Sequence, residues 1–193
     1  MTLTEPGPTG SRLGTAVQVI GAFVVLLYVV EVLDRLFQLE GNGIEPREAD
    51  GLDGILWAPL LHGSWVHLVG NTVPLLVLGF MILLSGVRQW LSVTAVVWLV
   101  AGAGTWLTGG DNTVHLGASS LVFGWLTYLL LRGFFSRRVG QILLGVVVLV
   151  LYGGALWGVL PGQPGISWQG HLFGAIGGAL AAGRLGAGER QPR

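Results

Sequence analysis

His115-Leu116-Gly117-Ala118-Ser119-Ser120-Leu121-Val122-Phe123-Gly124-Trp125-Leu126-Thr127-Tyr128-Leu129-Leu130-Leu131 contains no charged residue. It approaches the length a helix needs to cross a bilayer core, about 20 residues. Gly117, Ser120 and Gly124 follow one another at i, i+3 and i+7. That spacing puts a stripe of small residues on one helix face, which lets another helix approach closely. Five other stretches read the same way: 13–33, 65–84, 90–107, 139–156 and 168–185. The spacing therefore predicts an all-α membrane protein, a bundle of six transmembrane helices.

Composition agrees. Of 193 residues, 52% are hydrophobic and 10% charged, against about 25% charged in an average soluble domain. So few charges cannot cover a surface facing water, so the lipid bilayer is the expected surroundings. Cysteine is absent, which excludes disulfides, a thiol nucleophile and a thiolate metal site. A net charge of zero gives no reason to expect nucleic acid. Every basic residue is Arg, a usage typical of a GC-rich, bacterial genome.

Charge also orients the chain. With the N-terminus cytoplasmic, Arg12, Arg88, Arg132, Arg137, Arg138, Arg184, Arg190 and Arg193 lie inside, and Arg35 and Arg47 outside. This follows the positive-inside rule and puts both termini in the cytoplasm. Residues 1–12 read as a disordered tail, 13–186 as the membrane domain and 187–193 as a second tail. The first apolar stretch is too long for a signal peptide and lacks a clear cleavage site. The outer connection 34–64 is expected on the membrane surface, with Ile55, Leu56, Trp57, Leu60 and Leu61 dipping into the interface. The outer loop 157–167, with Pro161, Gly162, Pro164 and Gly165, reads as a turn-rich flap.

Four polar residues share one level near the outer face. His67 and Asn71 fall in the first turns of the second predicted helix. Ser119 falls about one turn into the fourth, and His171 about one turn into the sixth. Intramembrane polar residues usually face a bundle interior or a wet cavity and point to function. Singly, each has an ordinary reading: a Ser bonds a backbone carbonyl, a His or Asn packs at an interface. His62, His115, Gln18 and Glu31 are read in that way. His67 and Asn71, at i and i+4, form one face with two donors suited to an oxyanion. Gly170, Gly174 and Gly178 form a second small-residue stripe beside His171. Such stripes let a short Ser reach a His on a neighbouring helix, within about 2.6–3.2 Å for a nucleophile and its base. No carboxylate lies at this depth, so a Ser–His dyad is the expectation.

Three segments carry a family resemblance. Leu61-His62-Gly63-Ser64-Trp65-Val66-His67-Leu68-Val69-Gly70-Asn71, Gly117-Ala118-Ser119-Ser120 and Gly170-His171-Leu172-Phe173-Gly174-Ala175-Ile176-Gly177-Gly178 occur in order and on the appropriate helices. The chain resembles the rhomboid intramembrane serine proteases over about 61–183. The resemblance implies Ser119 as nucleophile and His171 as general base. It implies an oxyanion hole of His67, Asn71 and the Ser119 amide. His62 would order the first outer loop, and Phe123 would pack on the histidine. Gly117 and Gly174 complete the structural set. It also implies transmembrane protein segments as substrates, no cofactor, no metal and a multi-pass location in a bacterial inner (plasma) membrane. Ser120 stands where the family usually has Gly, and the family's Trp-Arg pair in the first outer loop is missing, since Ala58 follows Trp57. Two other readings exist: a non-catalytic rhomboid-like protein that binds membrane clients, and a small transporter or proton relay. The apolar inner halves of the helices disfavour the relay.

Overall fold

The computed structural model describes residues 9–163 and 165–188. They form seven α-helices: α1 (Thr9–Phe37), α2 (Gly54–Trp57), α3 (Trp65–Leu83), α4 (Val87–Thr108), α5 (Ser119–Ser136), α6 (Val139–Tyr152) and α7 (Trp168–Gly188). Short 3-10 turns fill Leu39–Asn42, Ala58–Leu60 and Gly153–Val159. No strand is present among the described residues; the nearest thing is a single antiparallel bridge between Ile44 and His115. The expected N-terminal tail falls outside the described residues as far as residue 8, but residues 9–12 are helical, not tail. A helix nucleated by the apolar stretch gains a hydrogen bond for each residue added. Likewise α7 runs two residues into the expected C-terminal tail, and 189–193 lie outside the described residues.

Four segments are long and apolar enough to cross a membrane by length and composition: 12–37, 65–83, 87–108 and 139–159. The protein is thus an all-helical, multi-pass membrane protein. α5 and α7 fall short of that standard for a physical reason. They are the central pair, packed chiefly on each other and on α4 and α6. A helix shielded by its neighbours does not need a lipid-compatible surface. α5 buries Trp125 and Tyr128 completely and carries Ser, Thr and Arg among its apolar residues.

Backbone approach holds the centre together. A Cβ at Gly174 would collide with the Ser120 carbonyl, and one at Gly178 with the Gly124 carbonyl. In lipid, where burying apolar surface gains little, such packing is the main cohesive term between helices. Around this pair, Phe23, Trp90 and Trp125 form an aromatic cluster with ring centroids 5.7–6.2 Å apart. α1 joins through one face, Ala16, Ile20, Val24, Leu27, Glu31 and Asp34, all buried, while Val25, Val29 and Leu36 are exposed.

Two expectations are corrected. Arg132 is not in an inner loop. It lies within α5, mostly buried, and donates from Nη1 to Ser85 Oγ at 2.6 Å. The helix continues to Ser136 and stops where Arg137 turns left-handed, at φ 56°. The long connection 34–64 is only partly exposed. Leu56 and Trp57 are exposed, but Leu61 is buried. Ile55 sits so close to α4 that a Cβ on Gly102 would come within 2.5 Å of its Cγ2.

This connection is fastened to the α4–α5 side by polar bonds. Trp98 Nε1 donates to Ile55 O at 2.8 Å and Trp106 Nε1 to Glu48 O at 2.9 Å. The Arg47 guanidinium donates to Gly109 O at 2.8 Å and pairs with Asp111. The chain leading to Ser119 therefore rests on a braced layer.

Candidate active site

The site is assembled from three helix starts. Ser64 caps α3, its Oγ accepting the His67 N–H at 3.1 Å, a favoured residue in a favoured position. His67 then lies in the first turn, and Asn71 lies one turn further, mostly buried.

Ser119 is the first residue of α5, not one turn in, and His115 is outside the helix. The reason is Gly117, whose φ of +121° side-chain-bearing residues rarely adopt. It breaks the helix that the apolar pattern extends back to His115. Gly117 also has no room for a side chain, since a Cβ would stand 2.5 Å from His67 Cε1. The Gly117 N–H donates to Ala58 O at 2.8 Å. Being first in its helix, the Ser119 N–H has no intrahelical acceptor.

Ser167 caps α7. Its Oγ accepts the Gly170 N–H at 3.3 Å, and its carbonyl accepts the His171 N–H at 3.1 Å. His171 follows one turn into the helix, as the spacing predicts. The interlocked glycines of α5 and α7 bring its Nε2 to 2.9 Å from Ser119 Oγ. Its Nδ1 lies 2.9 Å from the Gly158 carbonyl oxygen. A carbonyl only accepts, so Nδ1 carries the proton, and in the neutral ring Nε2 is left as the acceptor of the Ser119 hydroxyl. The Phe123 ring stacks on the imidazole, with centroids 4.0 Å apart and planes 10° from parallel.

Ser119, His171, His67 and Asn71 line one cavity of about 750 Å³, with Phe123, His115 and residues 165–167 also in its wall. Asn71 Nδ2 is buried without a hydrogen-bond partner. Leaving such a donor unsatisfied costs about 1–3 kcal/mol, and an incoming acceptor would recover that cost. A second void of about 20 Å³ lies behind Ser119, bordered by Thr105, Ser120 and Ser167. That is the size of a single water.

His62 is fully buried. Its Nε2 accepts the Ala118 N–H at 3.4 Å, and its ring meets that of His67 edge-on at 5.1 Å. It thus contacts the turn before Ser119 as well as its own loop. Burial, with a smaller contribution from His67, lowers its pKa to about 4.

Sequence reasoning missed the Gly158 carbonyl, because a backbone acceptor leaves no mark in residue type. It also read His115 as merely interfacial. His115 Nδ1 lies 2.7 Å from Ser167 Oγ, a contact over 52 residues that spacing cannot reveal.

The sequence model described as the Rhomboid domain matches residues 51–187. An uncharacterized protein of Mycobacterium bovis and one of Mycobacterium tuberculosis are each 50% identical over 181 residues, covering 89% of this chain and 75% of the relative. An uncharacterized protein of Mycobacterium leprae is also 50% identical, with 72% of its length covered.

Proposed function

The chain belongs to the rhomboid family, and on that footing we propose that it is an intramembrane serine endopeptidase that cleaves transmembrane segments of other membrane proteins. The observation that carries this reading is the 2.9 Å contact between Ser119 Oγ and His171 Nε2, with Nδ1 tied to Gly158 O. The ring is held in the tautomer a general base requires.

In the proposed reaction a substrate segment unwinds in the cavity and presents a peptide carbonyl to Ser119. Oγ attacks the carbonyl carbon while its proton passes to His171 Nε2. The negative charge on the carbonyl oxygen meets Asn71 Nδ2, His67 and the Ser119 N–H. One donor of this kind is worth about 2.7–4 kcal/mol to the transition state. His171 then returns the proton to the leaving amine. Water from the cavity attacks the ester carbonyl as the same nitrogen takes its proton, and that proton passes to Ser119 Oγ as the acyl–oxygen bond breaks. The reaction uses side chains, backbone amides and water, with no cofactor or metal.

The architecture proposed with it has α1 and α3–α7 as six spans, both termini cytoplasmic and the cavity near the outer face of the bacterial plasma membrane. The excess of Arg on the proposed inner side, seven against two once Arg132 is set within α5, supports this orientation. The test is cleavage of a fluorogenic transmembrane substrate in liposomes, with active-site labelling by a fluorophosphonate. Both should require Ser119 and His171; full cleavage by Ser119→Ala would end the proposal. Labelling also separates a peptidase from a client-binding relative, which would leave the reagent unreacted.

A further inference from the structure

His115 occupies a junction that the dyad does not explain. Its backbone pairs with Ile44, N–H to O at 2.9 Å in both directions, which fastens it to the first outer connection. Its side chain reaches two hydroxyls, Thr113 Oγ1 at 2.8 Å from Nε2 and Ser167 Oγ at 2.7 Å from Nδ1. Proton positions follow from the partners. Thr113 Oγ1 donates to Gly110 O at 2.6 Å, which uses its only proton, so His115 Nε2 must donate to Thr113. In the neutral ring Nδ1 is then an acceptor, and it takes the Ser167 hydroxyl proton. The Ser167 oxygen keeps a lone pair for the Gly170 N–H. Burial pushes the His115 pKa below the ordinary histidine value, which favours this neutral form.

The chain of bonds thus runs from the first outer connection, through the imidazole, to the cap of the helix that carries His171. His115 is also only four residues before Ser119. We infer that His115 is a positioning residue that locks the turn delivering Ser119 to the N-terminus of α7, and so sets the distance between Oγ and Nε2. The inference rests on the peptidase reading of those two residues. A misplacement of about 1 Å between reacting groups can cost about a hundredfold in rate, so a lock of this kind has consequences for turnover.

The experiment uses the full chain in detergent or liposomes. kcat and KM on a transmembrane substrate are measured for wild type, His115→Phe, His115→Asn, Ser167→Ala and the His115→Phe/Ser167→Ala double variant. Phe keeps a planar ring without its bonds, while the Asn Oδ1 stands near the position of Nδ1 and can accept from Ser167. His115→Phe and Ser167→Ala should each lower kcat by about ten- to a hundredfold with KM unchanged. The double variant should be no slower than the slower single one, and His115→Asn should recover most of the rate. Wild-type kcat in either His115→Phe or Ser167→Ala would overturn the inference. A recovery by Phe as full as that by Asn would also overturn it, since bulk alone would then suffice. If the wild-type chain neither cleaves nor labels, the peptidase reading fails, and ¹⁵N NMR of the histidines decides this one. An Nε2–H tautomer at His115 whose Nδ1 resonance shifts in Ser167→Ala, as an acceptor that has lost its donor, supports it; an Nδ1–H tautomer, or an Nδ1 resonance unmoved by Ser167→Ala, overturns it.

Discussion

Replacing Gly117 by Ala gives the most direct check on the geometry of the site. The new Cβ would stand 2.5 Å from His67 Cε1 and 2.8 Å from Nε2, where ordinary contact begins at 3.4 Å. Something must move by about 0.9 Å, the difference between 3.4 and 2.5. If the turn moves, Ser119 goes with it, and a displacement near 1 Å costs about a hundredfold. If the imidazole moves, the oxyanion donor proposed at His67 is lost, which costs about 10²–10³ in rate. A φ of +121° adds about 1–3 kcal/mol of backbone strain in an L-residue, a cost to stability and not to chemistry alone. Both routes predict a fall of about two orders of magnitude in kcat/KM on a transmembrane substrate, with a lower melting temperature but a folded protein. Adding His67→Ala should produce little further loss, since the two changes damage the same feature. A folded Gly117→Ala protein within threefold of wild-type kcat/KM would refute the reasoning.

Asn71→Ala should lower kcat by about 10²–10³ with KM little changed, read from initial rates. It should leave thermal stability intact or raised, because the lost amide nitrogen has no partner in the resting protein. His62 predicts acid lability. Its folded pKa of about 4 lies below the unfolded value of 6.5, so the unfolded chain binds more protons between those values. Stability is complete above pH 6.5 and declines as pH falls towards 4, by up to about 3 kcal/mol. Thermal scans across that range should show the decline, and His62→Gln should make it shallower, the remainder coming from groups such as His115; an equal slope in both proteins would reject the assignment. Gly178→Val places atoms against the Gly124 carbonyl and should force α5 from α7, destabilising by about 1–3 kcal/mol and slowing fluorophosphonate labelling. Unchanged labelling would show that the helix pair does not govern the dyad.

Much of this arrangement is legible along the chain, and the failures have definite causes. The stripes at Gly117, Ser120 and Gly124 and at Gly170, Gly174 and Gly178 announce a close helix pair. The isolated polar residues His67, Asn71, Ser119 and His171 stand out against their apolar neighbours. Helix starts are harder to read. Residues 115–118 fit a helix by hydropathy, but the positive φ of Gly117 and the pairing of His115 with Ile44 keep them out of one. Arg132 looks like a loop residue because nothing local reveals that Ser85, 47 positions away, accepts its hydrogen bond. The connection 34–64 is organised by Arg47, Trp98 and Trp106, each bonded to a carbonyl more than 40 residues distant. Composition reports the presence of these long side chains but not their destinations.

The acceptor that steadies His171 is main chain. No genetic substitution at residue 158 can delete that oxygen, so side-chain scanning is blind to it. Even alanine there confuses the result, because its methyl would press on Phe123 Cζ at 2.9 Å and His171 Nδ1 at 3.1 Å. Only backbone chemistry, such as an ester in place of the 158–159 amide, weakens the acceptor without adding bulk. In a Ser-His-Asp triad the group that orients the histidine is a side chain open to mutation. In this protein the His171 ring is held by a group every amino acid supplies.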